Sequence, residues 1–291
     1  MPAGAEHRRR LGPFSVSAVG YGAMRLTGPN VFGPPKDRGD AIALLREAVE
    51  RGVDHIDTAQ YYGPDVVNEL IREALYPYPP DLVIVSKVGA ARDTRGGIFA
   101  ADSPTELRRG IADNLRTLRI DSLPVVNLRL MRGSGPDAHF DDQLAALMWA
   151  RDEGLVTSIG LSNVTLAHLQ HALLATDIAC VQNGFHLLDR SSQPVLDECV
   201  RRGIAFVPFA PLGSGGSGPG SVLAAPAVVR IAARAGGTPP QVALAWTLGV
   251  APNVLLIPGS ASREHLRDNL AAADLDLDRE SAAELAQLWP G

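Results

Sequence analysis

Eight short apolar runs punctuate the chain, with room for a helix between most neighbours: "VSAVGYGAM", "VDHIDTA", "LVIVSKVG", "LPVVNLRLM", "VTSIGLSN", "IACVQNGF", "IAFVPFAP" and "NVLLIPGS". The stretches between them are amphipathic at helical spacing, as in "DAIALLREAVERG", "SPTELRRGIADNLRTL" and "FDDQLAALMWARDEG". Continuous rather than alternating apolar runs mark strands buried on both faces, the condition of a parallel sheet covered by helices. Eight such units predict an α/β fold of the (β/α)8 TIM-barrel type, with residues 1–291 as one domain. A doubly wound open sheet would usually carry a G-x-G-x-x-G turn after an early strand, and no early run leads into one. Asp40 and Ser103 are helix-start residues, the latter followed by Pro104 at the first helical position. The low-complexity stretch "GSGGSGPG", Gly213 to Gly220, directly follows the seventh run and predicts a mobile loop at the barrel mouth.

Composition removes several function classes. A net charge of −5 with no basic block longer than "HRRR" argues against nucleic acid, and His7 to Arg10 reads as a solvated face. The N-terminus lacks the apolar core of a signal peptide, and no run is long enough to span a membrane. Cys180 and Cys199 form neither a disulfide framework nor a metal-ligand cluster and are expected in apolar packing. A cytoplasmic protein without metal is the expectation. Nothing in the sequence speaks to oligomeric state.

In a parallel barrel the chemistry sits at the carboxyl ends of the strands. The runs end there in a ring of polar groups: Asp57 and Tyr62, Lys87, Asn127 and Arg129, Ser162 and Asn163, Gln182 and Asn183, then Gly259 and Ser260, with Phe209 in the seventh. One polar strand end is commonly half of a structural ion pair; a whole ring is harder to explain by structure alone. Lys87 stands out further. Of 27 Lys+Arg residues only Lys36 and Lys87 are lysine, which suggests a place where a compact ammonium is needed and a planar guanidinium does not serve. Tyrosine's ordinary pKa of about 10 is high for neutral-pH proton transfer, and a nearby ammonium should lower it. Asp57 can supply the anionic partner that a desolvated Lys87 requires. The set predicts a tyrosine that gives its proton to a developing alkoxide. His168 and His171 read as surface residues of a helix, and His55 as core-facing.

At these residues the chain resembles the aldo-keto reductase superfamily. "HIDTAQYYG", "VSKVG", "IGLSN", "VQN", "PLG" and "IPGSASREHLRDN" occur in the family's order and spacing, over almost the whole chain. The resemblance implies a (β/α)8 barrel with extra C-terminal helices, binding NADPH across its carboxyl end to reduce a small-molecule aldehyde or ketone. Position by position it implies Asp57, Tyr62 and Lys87 as catalytic residues, with Tyr62 the acid and Tyr61 a wall. It implies Ser162, Asn163 and Gln182 at the nicotinamide carboxamide, Phe209 stacked on the ring, and Gly22, Leu212 and Gly213 elsewhere along the cofactor, the last two at the pyrophosphate. Ser260, Ser262, Arg263, Asp268 and Asn269 are implied at the adenosine and its 2′-phosphate. One departure matters: the family's histidine at the end of the fourth strand is replaced by Arg129, and Asn127 shares its face. Arginine does not donate a proton in practice, but either residue can hydrogen-bond a substrate oxygen. "VVNLR", "GPNVFGPPKDR" and "REALYPYPPDL" narrow the resemblance to a bacterial branch that includes pyridoxal reductases. Pyridoxal reduction to pyridoxine is thus the leading expectation, with the phenolic oxygen beside the aldehyde accepting from Arg129 or Asn127. The alternatives are a reductase of a ketone, imine or sugar intermediate in secondary metabolism, and a cofactor-binding regulatory subunit of the same fold.

The need for a compact ammonium at position 87 is directly testable. Lys87→Arg should be nearly inactive in carbonyl reduction, whereas Lys36→Arg should keep its activity. Steady-state rates of the two variants compare them, and equal losses would refute the argument.

Overall fold

The fold is described by a computed structural model covering residues 8–131, 135–213 and 221–289. It opens with a hairpin, β1 (Arg8–Leu11) and β2 (Phe14–Ser17), joined through Gly12 at φ +58°, a left-handed conformation that glycine adopts without strain. Seven parallel strands follow: β3 (Tyr21–Gly22), β4 (His55–Asp57), β5 (Val83–Arg92), β7 (Leu123–Arg129), β8 (Val156–Ser162), β9 (Cys180–Gln182) and β10 (Ala205–Phe206). The eighth position is taken by residues 254–256, which bridge both edges. Leu255 donates to Phe206 and Leu256 to Ala18, while Gly20 donates back to Leu256. The sheet therefore closes, and no barrel strand is left with a bare edge.

Between the strands run α1 (Arg38–Glu50), α2 (Val66–Leu75), α3 (Pro104–Leu118), α4 (Ala138–Asp152), α5 (Leu166–Ala175) and α6 (Gln193–Arg202). α7 (Pro226–Ala235) and α8 (Pro239–Gly249) precede the eighth position; α9 (Arg263–Ala271) and α10 (Arg279–Ala286) follow it as the C-terminal helices. β6 (Ile98–Ala101) pairs antiparallel with the outer half of β5 and carries that strand beyond the barrel rim. Ser103 caps α3 in a reciprocal box with Glu106, as its sequence context predicts. For α1 the cap is Asp37, which accepts from the Asp40 amide, so the helix starts earlier than Asp40 suggests.

Strand alternation builds two apolar layers. Ile56, Ile84, Val126, Leu128, Ile159, Leu161, Val181 and Phe206 face outward into the helices. Val83, Val85, Val125, Cys180, Ala205, Val207 and Leu255 fill the barrel, where Leu11 and Val16 of the hairpin join them as a plug at the amino-terminal end. The first apolar run is thus divided: Val16 belongs to the plug and only its later residues to the barrel. The "HRRR" segment also differs from a plain solvated face. Arg9 is half-buried and donates to the carbonyls of Leu248, in the last turn of α8, and of Ala251 and Val254 beyond it. Asp54 accepts from the Ser17 amide at 2.9 Å and from Arg8 at 3.0 Å, tying the plug to β4. His168 is buried rather than on the surface, edge-on to Phe140 with ring centroids 4.9 Å apart. Cys180 and Cys199 are both buried free thiols. The expected loop after the seventh strand falls, beyond Gly213, outside the described residues. Among the described residues no helix is long and apolar enough to cross a membrane.

Inside the barrel, Asn127 reaches over Gly160 to Cys180, whose thiol lies 3.2 Å from Asn127 Oδ1. A Cβ on Gly160 would come within 2.0 Å of that oxygen. Gly160→Ala should therefore lower stability by about 1–3 kcal/mol, the usual cost of overpacking a core. Asn127→Ala should restore part of the loss in the double variant, because the two sites contend for one volume. Chemical denaturation of the two single variants and the pair measures this; strict additivity would show that the clash does not govern Gly160.

Candidate active site

Asp57 ends β4 and Lys87 lies on β5, and both point into the barrel. They are 4% and 1% exposed, so each needs the other. Lys87 Nζ donates to Asp57 Oδ1 at 2.5 Å and to the Thr58 carbonyl at 3.0 Å. The second carboxylate oxygen accepts from Gln182 Nε2 at 2.8 Å, so Asp57 is engaged from two strands.

The outward-facing neighbours of this pair belong to a buried polar network that the sequence reading missed. Thr58 donates to Asn68 of α2, Asn68 donates to Asn114 and Thr117 of α3, and Ser86 donates to Asn114. Thr58 adjoins Asp57 and Ser86 adjoins Lys87, so two helices hold the strand segments that carry the pair. The signal was available: Asn68 and Asn114 are polar residues on the buried stripes of amphipathic helices.

Tyr61 and Tyr62 follow β4 with their rings edge-to-face, centroids 5.3 Å apart. The Lys87 ammonium lies over the Tyr62 ring, 5.0 Å from its centroid. This is a cation–π placement rather than an ion pair with the hydroxyl. Burial therefore governs both phenols and pushes their pKa values well above the ordinary tyrosine value. Asp57 raises Tyr62 further, while the charges of Arg129 and Arg92 act in the opposite sense. The expected lowering of Tyr62 by Lys87 is thus not what this arrangement produces. Tyr62 instead keeps its proton, which is the state an acid needs. Arg92, also missed, is fixed by donating to the Tyr61 carbonyl at 3.2 Å and the Gly96 carbonyl at 2.6 Å.

The rim row is set by strand register. Arg129 pairs with Ser162, and Ser162 with Gln182. Asn127 pairs with Lys87 and with Gly160, one layer deeper. Seven buried side-chain atoms lack a hydrogen-bond partner among the described residues, and four of them, Tyr61 Oη, Asn127 Nδ2, Arg129 Nε and Ser162 Oγ, converge here. Each unmade bond costs on the order of 1–3 kcal/mol, so the concentration marks a place shaped for ligand groups.

The other predicted residues line a path away from this centre. Asn163, at φ +60°, donates to the Leu130 carbonyl at 2.8 Å. Asn183 clamps Val164 through its amide and carbonyl. The Phe209 ring lies over Gly184, 3.2 Å from where a Cβ would stand. Leu212 is partly buried against the core, and Gly213 turns at φ +74°. Gly22 meets the eighth-position segment so closely that a Cβ would come within 2.4 Å of the Ile257 carbonyl. Ser260 accepts from Tyr21 through its carbonyl, and its hydroxyl accepts from the Ser262 amide. Ser262 caps α9; Arg263, half-exposed, has its Nε 3.7 Å from Glu47, which also receives Arg51 and Arg267. Asp268 takes part through its backbone, accepting from Gln241, and Asn269 is buried. Among the described residues no hydrogen bond or ion pair joins the α9 group to the Asp57–Lys87 centre, although Gly22 and Gly259 abut between them. The residues present fit an extended dinucleotide. Ser162 Oγ lacks a partner and the Gln182 side chain lies against Asp57, a combination that suits an amide, while the capped N-terminus of α9 with Arg263 suits an anionic group. Among the described residues no cluster suited to a metal occurs.

Residues 18–290 match the aldo/keto reductase family, and the chain belongs to it. It is 48% identical over 278 residues to the pyridoxine 4-dehydrogenase of Escherichia coli, covering 94% of this chain and 96% of that one. Its fold is similar to that of a thermostable aldo-keto reductase in complex with the inhibitor epalrestat, at 28% identity and a TM-score of 0.81, covering 97% and 99% of the two chains. A Klebsiella pneumoniae aldo/keto reductase in complex with NADP and acetate matches at 27% identity and a TM-score of 0.79, covering 97% and 96%. The chain is an oxidoreductase of this family, and its barrel is the fold the sequence predicts.

Tyr62→Phe should lower kcat/KM for carbonyl reduction by about 10²- to 10⁴-fold, the usual worth of a general acid, while cofactor affinity stays within about three-fold. Because burial raises the Tyr62 pKa, the wild-type rate should not fall through loss of this proton below about pH 10. Near-wild-type kcat in Tyr62→Phe would remove Tyr62 from the role.

Proposed function

We propose that the protein is an NADPH-dependent reductase of pyridoxal to pyridoxine, working in one barrel domain across 1–291. The observation that carries the chemistry is the buried Lys87–Asp57 pair set against Tyr62, beneath a rim of unpartnered polar atoms. The similarity to a relative named for pyridoxine oxidation supports the substrate, since that reaction is the reverse of pyridoxal reduction. Structural neighbours holding NADP support the cofactor. A cytoplasmic setting suits this reading.

Reduced nicotinamide, when bound, supplies the hydride that the carbonyl carbon accepts. In this reading Ser162 and Gln182 would orient its carboxamide, and the Phe209 ring, which lies over Gly184, would offer it an aromatic face; the unpartnered Ser162 Oγ and the Gln182 contact with Asp57 support this. Tyr62 gives its proton to the carbonyl oxygen as negative charge develops there. The tyrosinate that remains regains its proton from solvent, and the charges that favour it in the meantime are those of Arg129 and Arg92. Arg263 at the α9 N-terminus provides a charge-assisted partner for a 2′-phosphate, which favours NADPH over NADH.

Absorbance at the reduced-nicotinamide band tests this. With pyridoxal, NADPH oxidation should proceed at a kcat/KM at least about ten-fold above that for a simple aliphatic aldehyde, and NADH should serve less well. Absence of turnover with pyridoxal, alongside turnover of other ketones or imines, would move the substrate to a biosynthetic intermediate and leave the role of Tyr62 standing.

A further inference from the structure

We infer that Arg129, supported by Arg92, forms a subsite for an anionic oxygen adjacent to the reacting carbonyl, so that the enzyme selects aldehydes bearing a phenolate or enolate oxygen on the neighbouring carbon. The inference rests on the reductase reading above and adds a substrate class to it.

Charge is out of balance at the rim. The cations facing the two tyrosines are Lys87, Arg92 and Arg129, and the carboxylate among them is Asp57. Asp57 is fully engaged by Lys87 and Gln182. Among the described residues Arg92 finds only backbone carbonyls. Arg129 makes no hydrogen bond or ion pair with any described residue, although it is partly buried and its Nε is fully enclosed. An unpaired guanidinium in such a place carries a desolvation cost that an anion would offset. Arginine presents a planar fork of donors, the arrangement that reads an oxyanion with direction.

Register separates Arg129 from Asn127. Asn127 lies a layer deeper, across Gly160 against Cys180, and is fully buried. Arg129 is two residues further along the strand, on the same face and level with Ser162. Gly89 holds it there, because its backbone passes so close that a Cβ would lie 2.4 Å from the Arg129 carbonyl. Register sets Arg129 on the inner face of the rim row, and it lies near enough to Tyr61 and Tyr62 for its charge to oppose the rise of both phenols, so the guanidinium borders the place where a carbonyl oxygen would meet Tyr62. A substrate whose carbonyl oxygen takes the Tyr62 proton therefore presents its neighbouring oxygen to Arg129. Pyridoxal has this oxygen pair; so do simple 2-hydroxyaryl aldehydes.

The test compares kcat/KM with NADPH for 2-hydroxybenzaldehyde and 4-hydroxybenzaldehyde, at a pH where both are ionised, with 2-methoxybenzaldehyde as the uncharged match. The ratio of the 2-hydroxy to the 4-hydroxy compound should be about ten- to a hundred-fold in the wild type, the worth of a hydrogen bond to a charged group. It should fall within about three-fold of unity in Arg129→Met, whatever happens to the absolute rate, and stand between the two in Arg129→Lys. An unchanged ratio in Arg129→Met, or a wild-type ratio near one, would overturn the subsite. If no aldehyde is turned over, the reductase reading fails by itself, and the subsite is then read with 2-nitrophenol, which is not a carbonyl substrate. Its visible phenolate band should persist to lower pH when bound to wild type than when bound to Arg129→Met; the same titration in both would overturn the proposal.

Discussion

The buried pair of Lys87 and Asp57 is the constraint on which the rest of the centre depends. An ammonium at 1% exposure is tolerated only with its counter-charge in contact and its remaining donors satisfied. Asp57, the Thr58 carbonyl and the Tyr62 ring meet that need from β4 and the segment after it, and Gln182 steadies the carboxylate from β9. β4 and β5 are neighbours, but β4 and β9 are not, so Gln182 reaches the carboxylate only across the interior of the curled sheet. This also explains why a chain that otherwise favours arginine keeps a lysine at position 87. A guanidinium would bring more donors than these acceptors can meet and a larger plane than the space over the tyrosine ring.

Rigidity around the pair comes from close approach. Thr58, Asn68, Ser86, Asn114 and Thr117 form a satisfied buried network behind β4 and β5, and satisfied networks of this kind hold a single arrangement more firmly than apolar packing alone. Gly160 leaves the volume that Asn127 fills, Gly89 lets β5 pass against Arg129, and Gly22 lets the first strand meet the last. The strands can therefore present their polar ends at defined heights, and a reacting centre requires placement of that kind.

The electrostatics of the site follow from the same closeness. With Lys87 spent on Asp57 and on a ring face, the phenol of Tyr62 is set by burial and stays protonated. Arg92 and Arg129 supply positive charge without a matching carboxylate. An environment of neutral acid and excess cation favours oxygen atoms that gain or already carry negative charge, which is the common feature of a reducing carbonyl and a neighbouring phenolate.

Much of this was legible in the residues themselves. The eight runs, the Ser103 cap, the polar strand ends and the isolated Lys87 all reflect local rules: period, capping chemistry and residue scarcity. Other features depended on partners distant in the chain. Val16 joined the plug because Leu11 and the barrel interior surround it; Arg9 turned inward because carbonyls at and just beyond the end of α8 accept from it; His168 was buried by Phe140. Asn127 and Arg129 show the limit most clearly. Alternation along a strand places both on the inner face, but it carries no information about height in the barrel. Height is set by register against the neighbouring strands, where Gly160 stands level with Asn127 and Ser162 with Arg129. The sequence by itself thus determined which residues would gather at one end of the barrel, and only the tertiary structure decided which lies a layer deeper and which stands at the rim.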